Sequence, residues 1–440
     1  MSAGKPLRAA ALTLGCKVNA YDTEVMLGLL SKAGYEIVPF DSEADVYIIN
    51  TCTVTNTGDK KSRQMARRAA SMNSRAVIAL CGCYAQVNPE EAKNIPGVSL
   101  VLGSADRGRI VDAIDRFIAR GSASEESALI MDKREYEPVF LSSGAFSGKT
   151  RAYLKIEDGC HNFCSYCIIP YARGPARSRR PEDALAEARR LASGGVKEIV
   201  LTGIHVASYG KDLKNADLAG LISKIHEIDG IERLRLSSIE PGFMDSGFLE
   251  KISALPKVCC HFHLSLQSGC DKTLKAMNRR YDTHEYSQSI DRIRERYPEA
   301  NLTTDMIAGF PGETEEDFME SYEFARQMKF SKIHAFPYSP KKGTPAASFA
   351  GQIPRAEKAR RQALLLELSD EAGKAYHSQF IGQSLPVLFE CEADTDIYDG
   401  HAANYMKVRA ACSASAVNQI LNVKIVSAGK DLAEGEIVQR

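Results

Sequence analysis

The sequence predicts an α/β protein with an amino-terminal open parallel sheet, a central partial (β/α)6 barrel and a small antiparallel β barrel at its carboxyl end. Three observations predict this architecture. Short apolar runs alternate with helical patterns over the first 120 residues, six strand–helix units follow from Arg151, and short alternating runs separated by Gly, Asp and Asn follow Gly382. The pattern divides the chain into an amino-terminal domain at 1–120, a linker at 121–147, the partial barrel at 148–376 and the terminal barrel at 377–440.

The composition restricts the partners and the compartment. The 440 residues carry 56 basic and 56 acidic side chains, so any nucleic-acid binding has to use local patches rather than net charge. No apolar run approaches the roughly 20 residues that span a bilayer, which predicts a cytoplasmic protein without a membrane partner. Twelve cysteines in a reducing compartment indicate metal binding rather than disulfides.

Three apolar runs of the first domain each end at a cysteine. Ala9–Leu14 leads to Cys16, Val46–Ile49 to Cys52, and Ala76–Leu80 to Cys81 and Cys83. The carboxyl ends of parallel strands share one edge of a sheet, where ligands bind. We therefore expect cysteines that are far apart in sequence to meet there. Helices are predicted between these strands, at 22–33 and 60–70.

The central segment repeats a strand followed by a helix six times. Its predicted strands are Ala152–Ile156, Glu198–Thr202, Arg233–Ser237, His261–Leu266, Leu302–Ala308 and Lys332–Pro337. Its predicted helices include 182–193, 218–228, 284–296 and 315–328, and a charged helix at 354–378 follows. Six units fall short of the eight that close a barrel, and the active face should carry the loops after the strands. The terminal barrel has predicted strands at 385–389, 405–408, 420–426 and 434–438.

A cysteine motif follows the first barrel strand directly. Cys160, Cys164 and Cys167 have the spacing C-x3-C-x2-C. Three thiolates can hold three irons of a [4Fe–4S] cluster and leave the fourth iron open to a ligand. The alternative is a structural zinc site with His161 as its fourth ligand, because such sites need four closed ligands. The position at the mouth of a βα barrel favours the cluster.

These residues resemble the radical S-adenosylmethionine (SAM) methylthiotransferase family over nearly the whole chain. The C-x3-C-x2-C spacing is the signature of radical SAM enzymes, and Cys16, Cys52 and Cys83 match the family patterns GC-x-x-N, NTC and GC-x-AQ. The resemblance implies a second [4Fe–4S] cluster on those three cysteines. It also implies that the terminal segment is a TRAM-like RNA-binding domain. Cys81 lies outside the pattern and has no assigned role.

The residues around Cys16 resemble one branch of this family. Leu14 to Glu24 is similar to the branch that modifies threonylcarbamoyl-adenosine next to the anticodon of tRNA. A branch acting on isopentenyl-adenosine usually has Gln-Met-Asn after the cysteine, and one acting on a ribosomal protein aspartate usually has Pro-Lys-Asn. Both substrates remain alternatives. A non-catalytic iron–sulfur RNA-binding redox sensor is an alternative from another class.

The resemblance further implies cofactors, a reaction and partners. SAM and one electron at the second cluster would generate a radical that takes the hydrogen from carbon two of the adenine, and the first cluster would carry the sulfur. The partners would be the tRNA substrate, a low-potential electron donor such as flavodoxin or ferredoxin, and a sulfur donor. No catalytic residue is expected beyond the clusters. The resemblance implies SAM contacts at Gly203, Ile204, His205, Glu240, Gln267 and Ser268. Arg279 and Asp305 are further candidates, because a charged side chain at the end of a barrel strand can bind the amino or carboxylate group of SAM. Solvent contact or a local salt bridge is the alternative for each of these two residues.

Basic side chains provide candidate RNA contacts in two places. Arg pairs well with phosphate and stacks on bases. Four arginines follow the second cysteine motif, at Arg173, Arg177, Arg179 and Arg180. On the terminal barrel, Tyr405, Lys407 and Arg409 are predicted to alternate along one strand and to present an aromatic ring with two cations. A solvated basic turn and ordinary packing are the alternatives.

Overall fold

A computed structural model of the protein describes residues 5–120, 128–129 and 150–438. The chain divides into two compact units. The first contains the amino-terminal domain together with residues 157–179 and 339–347, and the second contains residues 150–156, 180–338 and 348–438. No helix of the described residues has the length and apolar character that crossing a membrane requires.

The first unit is built on a parallel sheet. Its strands are β1 Arg8–Thr13, β2 Glu36–Ile37, β3 Val46–Thr51, β4 Val77–Gly82, β5 Leu100–Leu102 and β6 Ala128–Leu129. Their order across the sheet is β2-β1-β3-β4-β5-β6, and every neighbouring pair is parallel. The intervening helices are α1 Lys17–Lys32, α2 Asn56–Met72, α3 Cys83–Val87, α4 Pro89–Lys93 and α5 Ile110–Arg120.

Two apolar clusters cover the two faces of this sheet. Alternate residues of β3 and β4 belong to different clusters, because successive side chains of a strand point to opposite faces. Tyr47 and Leu80 belong to one cluster, and Ile48 and Cys81 to the other. Cys81, which the sequence left without a role, is therefore a core residue, and burial raises the pKa of its thiol to about 12.

The central part of the chain forms a partial barrel of parallel strands. In chain order its strands are β7 Arg151–Lys155, the short antiparallel pair β8 Glu157–Asp158 and β9 Arg177–Ser178, then β10 Glu198–Thr202, β11 Arg233–Leu236, β12 His261–His263, β13 Asn301–Ala308 and β14 Lys332–Pro337. The pair β8 and β9 belongs to the first unit. The sheets β11-β10-β7 and β12-β13-β14 are joined by isolated parallel bridges, one of them between Ile239 and Leu264.

Helices separate the barrel strands. They are α6 Ile169–Arg173, α7 Pro181–Ser193, α8 Leu218–His226, α9 Ser246–Ser253, α10 Asp271–Ala276, α11 Thr283–Arg296, α12 Glu315–Met328 and, after the last strand, α13 Arg355–Ser378. Capping boxes begin α11 at Asp282 and α12 at Thr314, which satisfies backbone donors at both helix starts.

The terminal segment is a closed five-stranded barrel. Its strands are β15 Ser384–Asp394, β16 Ile397–Ala402, β17 Lys407–Ala411, β18 Ile420–Ala428 and β19 Ala433–Ile437, in the order β15-β16-β17-β19-β18. Val387, Phe389, Val408 and Val423 are fully buried in its core. Closure leaves this small sheet without an open edge.

The predicted fold class is confirmed, with local differences. Helix α1 begins five residues earlier than predicted, at Lys17, with Cys16 as its N-cap. Strand β12 ends at His263 rather than at Leu266. The sequence missed β16 and the short strands β2, β5 and β6. The predicted linker lies outside the described residues apart from 128–129, and the domain boundaries stay predictions.

Candidate iron–sulfur centres

The first cysteine triad lies at the carboxyl edge of the parallel sheet. Cys16 follows β1 and caps α1, Cys52 follows β3, and Cys83 begins α3 directly after β4. Strand β3 is the neighbour of both β1 and β4, so the three cysteines come to one stretch of the sheet edge. The sequence predicts that these cysteines share one edge of the sheet, although Cys16 and Cys83 are 67 positions apart in the chain.

Glycine makes the close approach of these segments possible. Gly15 has a φ of +107°, and a Cβ there would lie 2.8 Å from Cβ and 3.0 Å from Sγ of Cys52. Any side chain at this position would therefore displace Cys52. At Gly82, with a φ of +91°, a Cβ would lie 2.7 Å from the carbonyl oxygen of Thr51.

The thiols of this triad influence one another. Burial and the neighbouring Cys83 and Cys16 together raise the pKa of Cys52 to about 11, although a backbone hydrogen bond from Val54 and the charge of Arg173 act to lower it. Burial also raises the pKa of Cys83, and Arg173 opposes that shift through its charge and a hydrogen bond to the thiol. The guanidinium group of Arg173 is thus a positive charge that favours thiolates, the form in which cysteine binds metal.

Arg173 belongs to a buried network of two arginines and two aspartates. Its Nη1 lies 3.0 Å from Oδ1 of Asp158, and its Nη2 lies 3.1 Å from Oδ2 of Asp22. Arg107 pairs with the same two carboxylates at 3.1 and 3.3 Å. Nη2 of Arg173 also donates to Oδ1 of Asn19 at 2.5 Å. The network ties the segment that follows the second cysteine motif to helix α1, which follows Cys16.

The second cysteine triad occupies a single loop of the first unit. Cys164 is buried, and Cys160 and Cys167 are half-buried. The N–H of Asn162 donates to Sγ of Cys160 at 3.4 Å, and the N–H of Cys167 donates to the carbonyl of Cys164 at 2.9 Å. Gly159, with a φ of +88°, leaves room for the carbonyl of Pro175, because a Cβ there would lie 2.0 Å from that oxygen.

Both triads suit an iron–sulfur cluster better than one zinc ion. Among the described residues, the groups of three ligand atoms within 4.8 Å of one another are His263–Asp305–His334 and Cys270–Asp317–Glu320, and neither contains a cysteine of either triad. Nδ1 of His161, the fourth ligand in the zinc alternative, accepts the N–H of Ala176 at 3.3 Å. A set of soft thiolates is the donor chemistry of a [4Fe–4S] cluster.

Three of the residues expected to contact SAM come together in the second unit. Nε2 of His205 lies 2.9 Å from Oε2 of Glu240, and Nη2 of Arg279 lies 3.4 Å from Oε1 of the same carboxylate. Burial raises the pKa of Glu240, but His205 and Arg279 together hold it below its ordinary value. Gly203 and Ile204 lead into this group directly after β10.

The other expected SAM contacts have different neighbours. Ser268 is buried in the loop after β12, and its hydroxyl lies 2.8 Å from that of Ser321 on α12. Its contact with SAM stays a prediction. Gln267 has a φ of +70° and bridges to Met306. Asp305 pairs with His263, whose Nε2 is 3.3 Å away.

The four arginines predicted to contact RNA after the second motif differ in exposure, and their contact with RNA stays a prediction. Arg173 and Arg179 are only 1% and 3% exposed, and they pack within the first unit instead of facing solvent. Arg177 is half-buried and donates to the carbonyls of Pro175 and Arg173. Of the four arginines, only Arg180 has an exposed side chain, which pairs with Asp183 at 2.8 Å.

On the terminal barrel, the predicted alternation of Tyr405 with the two cations is wrong. Tyr405 precedes β17, has a φ of +65°, and stacks between His261 at 4.8 Å and His401 at 4.7 Å. Its ring is therefore used in packing. Lys407 and Arg409 stay on one strand, about two-fifths exposed, and both pair with Asp399 at 2.8 and 2.7 Å.

Sequence reasoning missed several polar residues. Asp22, Arg107 and Asp158 of the buried network have no motif, and only the three-dimensional contacts reveal them. His263 and His334 had a usable signal, because they occupy positions in predicted strands on either side of the strand that carries Asp305.

Comparison with family models identifies two regions. Residues 154–325 match the Radical SAM superfamily, and residues 8–103 match a family described as "Uncharacterized protein family UPF0004". The two matches together cover both cysteine triads.

Relatives that match over nearly the full length include two groups of enzymes. The chain is 43% identical to "Threonylcarbamoyladenosine tRNA methylthiotransferase MtaB" of Bacillus subtilis, over 97% of this chain and 95% of that protein. It is 36% identical to the protein of the same name from Thermotoga maritima, over 97% and 98%. It is 34% identical to a "tRNA-2-methylthio-N(6)-dimethylallyladenosine synthase" of Alkaliphilus oremlandii, over 99% and 94%.

Solved structures share the fold. The radical SAM methyltransferase TsrM from Kitasatospora setae, with cobalamin and a [4Fe–4S] cluster bound, superposes with a TM-score of 0.57 at 15% identity, over 78% of this chain and 77% of that one. At this identity the likeness concerns the fold alone.

Proposed function

Since this chain belongs to the methylthiotransferase family of radical SAM enzymes, we propose that it adds a methylthio group to carbon two of threonylcarbamoyl-adenosine in tRNA. The reaction would use two [4Fe–4S] clusters, one on Cys16, Cys52 and Cys83 and one on Cys160, Cys164 and Cys167. The modified base would be the adenosine next to the anticodon.

One observation supports a second cluster in particular. A radical SAM reaction needs only the cysteines of the C-x3-C-x2-C loop, yet three further cysteines from separate strands reach the same edge of the parallel sheet. Their close packing at Gly15 and the buried guanidinium of Arg173 beside them fit an anionic thiolate-bound group better than three structural thiols.

The substrate is inferred from the relatives. Identity to the relatives named for threonylcarbamoyl-adenosine reaches 43%, against 34% for those named for dimethylallyl-adenosine, with similar coverage. The residues after Cys16, Lys-Val-Asn, support the same branch. Methylthiolation of dimethylallyl-adenosine is the second candidate, because those relatives also span nearly the whole chain.

The chain's own residues would bind and orient the reactants. When bound, the clusters and SAM supply the radical and sulfur chemistry that amino-acid side chains lack. His205, Glu240 and Arg279 form a fixed polar group that can hold the amino or carboxylate group of SAM. The buried network around Arg173 fixes helix α1 against the segment after the second motif, so it would keep Cys16 and its neighbours in place.

Analysis of tRNA nucleosides tests this proposal. Anaerobically reconstituted protein is incubated with SAM, a reductant, a sulfur source and tRNA carrying threonylcarbamoyl-adenosine, and the digested nucleosides are analysed by mass spectrometry. We expect the methylthio derivative of that nucleoside. Conversion of dimethylallyl-adenosine alone would support the second candidate, and reductive release of methionine from SAM excludes a non-catalytic sensor.

A further inference from the structure

One face of the sheet β12-β13-β14 carries a polar cluster in which only Asp305 is among the residues expected to contact SAM. His263 of β12, Asp305 of β13 and His334 of β14 bring their ligand atoms within 4.8 Å of one another. Nε2 of His263 lies 3.3 Å from Oδ2 of Asp305, and the two imidazole rings are 5.8 Å apart. All three residues belong to the second unit.

The strand register places this cluster on the open face of the sheet. Asp305 is the register partner of His334, and Ile307 is the partner of Phe336 one step further along the same face. On β14, His334 and Phe336 are exposed, whereas the alternate residues Ile333 and Ala335 are buried. The face with the histidines is therefore accessible, and the opposite face is packed.

Phe336 is the second unusual feature of this face. The residue is 49% exposed, near the end of β14 and on the same face as His334. An exposed aromatic ring beside a cluster of charged and polar groups is the composition of a ligand site, in which apolar contact supplies area and a few polar groups supply specificity.

The neighbours of His263 show how the polar cluster is oriented. Its Nδ1 lies 2.9 Å from Oγ1 of Thr303, and its Nε2 faces Asp305. Both nitrogens thus have partners within the sheet, which fixes the ring and leaves the carboxylate of Asp305, 31% exposed, pointing along the open face with His334. Two imidazoles and a carboxylate are also the ligand set of some transition-metal sites. To bind a metal, however, His263 would have to lose its contact with Thr303 or with Asp305.

We propose that His334 and Asp305, with Phe336 beside them, recognise the polar N6 substituent of the base, and this inference rests on the proposed function. A threonylcarbamoyl group ends in a carboxylate and a hydroxyl, which match a histidine donor and a carboxylate acceptor. A dimethylallyl group offers neither and can make neither hydrogen bond. Sites built to hydrogen-bond a substrate reject analogues that lack the polar group, and this difference sets the specificity.

Binding of short RNAs tests the proposal without turnover. Reconstituted full-length protein is titrated with anticodon stem–loops that carry threonylcarbamoyl-adenosine, dimethylallyl-adenosine or unmodified adenosine. We expect His334→Ala and Asp305→Asn to weaken binding of the threonylcarbamoyl RNA about tenfold to a hundredfold, as for the loss of a hydrogen bond to a charged group, and to leave the other two RNAs within about twofold. His334→Gln should recover part of the loss.

Controls separate recognition of the N6 substituent from a general effect on RNA binding and from a bound metal. His284→Ala removes an exposed histidine from the start of α11 and should leave all three affinities unchanged. The proposal would be overturned if His334→Ala weakened binding of all three RNAs equally. It would also be overturned if the wild-type protein contained one zinc or iron atom beyond the cluster iron and His334→Ala lost that atom. If the wild-type enzyme modifies the threonylcarbamoyl RNA and the His334 and Asp305 variants still prefer that RNA over the other two, only the role proposed for these two residues is refuted. No modification of that RNA by the wild type would refute the proposed function as well.

Discussion

The two cysteine triads differ in how the chain assembles them. Cys160, Cys164 and Cys167 lie within eight residues of one loop, so their geometry is set by local backbone hydrogen bonds. Cys16, Cys52 and Cys83 come from the ends of three strands, and their geometry depends on the register of a whole sheet and on a buried ion network. The assembled triad should therefore be sensitive to changes outside it, whereas the local triad should depend mainly on its own loop.

Removal of the cysteines should give the largest effect and should separate the two roles. With Cys160, Cys164 and Cys167 all changed to Ala, we expect both SAM cleavage and methylthio product to fall to background, because the iron that would bind SAM is lost. With Cys16, Cys52 and Cys83 changed to Ala, SAM cleavage should persist while product disappears. The measurements are release of methionine and mass spectrometry of the nucleosides. Product formation by the second variant would contradict the division of roles.

Loss of Arg173 should strongly destabilise the region of the assembled triad. Arg173→Met leaves Asp158 and Asp22 buried with Arg107 as their remaining arginine partner, and breaking a buried ion pair costs about 3–5 kcal/mol. Chemical unfolding of the metal-free protein measures the loss, and amide hydrogen exchange should localise it to 17–24 and 157–179.

Arg180→Met is the matched control for this change, because Arg180 is an exposed arginine with one aspartate partner. Its removal should cost less than about 1 kcal/mol. Equal effects of the two substitutions would show that the buried network does not support the assembled triad.

Substitution of Gly15 should disturb the assembled triad selectively. Gly15→Ala adds a Cβ 2.8 Å from Cβ of Cys52 at a φ of +107°, so Cys52 has to move. We expect a loss of about 1–3 kcal/mol in stability and lower iron content, with the second cluster retained. Gly34→Ala shares the positive φ, +92°, but its Cβ would meet nothing within 4 Å, so it reports the backbone strain alone. If both variants keep the same iron content, Gly15 is not needed for close approach.

The half-exposed ion pairs of the terminal barrel should give the smallest effect. Arg409 and Lys407 hold the pKa of Asp399 at about 2, below its ordinary value of 3.8. A lowered pKa stabilises the folded state above about pH 4, and this contribution is lost as the pH falls towards 2. Asp399→Asn should therefore cost less than about 1 kcal/mol at pH 7 and remove the corresponding pH dependence below pH 4. If Asp399→Asn lowered the free energy of unfolding as much as Arg173→Met does, buried and exposed ion pairs would not differ in their contribution to stability.

The sequence predicted the parts of the site that depend on periodicity and spacing. The strands that end at Cys16, Cys52 and Cys83 have clear apolar runs, so their common edge followed from parallel-sheet topology. The basic residues were harder to interpret, because the sequence from Arg173 to Arg180 does not show whether an arginine faces solvent or a buried carboxylate. Burial of Arg173 depends on Asp22, which is 151 positions away, and no local pattern encodes that contact. Tyr405 was misplaced for a similar reason, since its packing partner His261 belongs to the partial barrel.

The iron content of the protein distinguishes two clusters from one. We expect anaerobically reconstituted wild-type protein to bind about eight irons, four per cluster, and replacement of either cysteine triad with Ala to leave about four. A wild-type protein that saturates at four irons, or one in which replacing Cys16, Cys52 and Cys83 changes nothing, would contradict the claim that the chain holds two separate clusters.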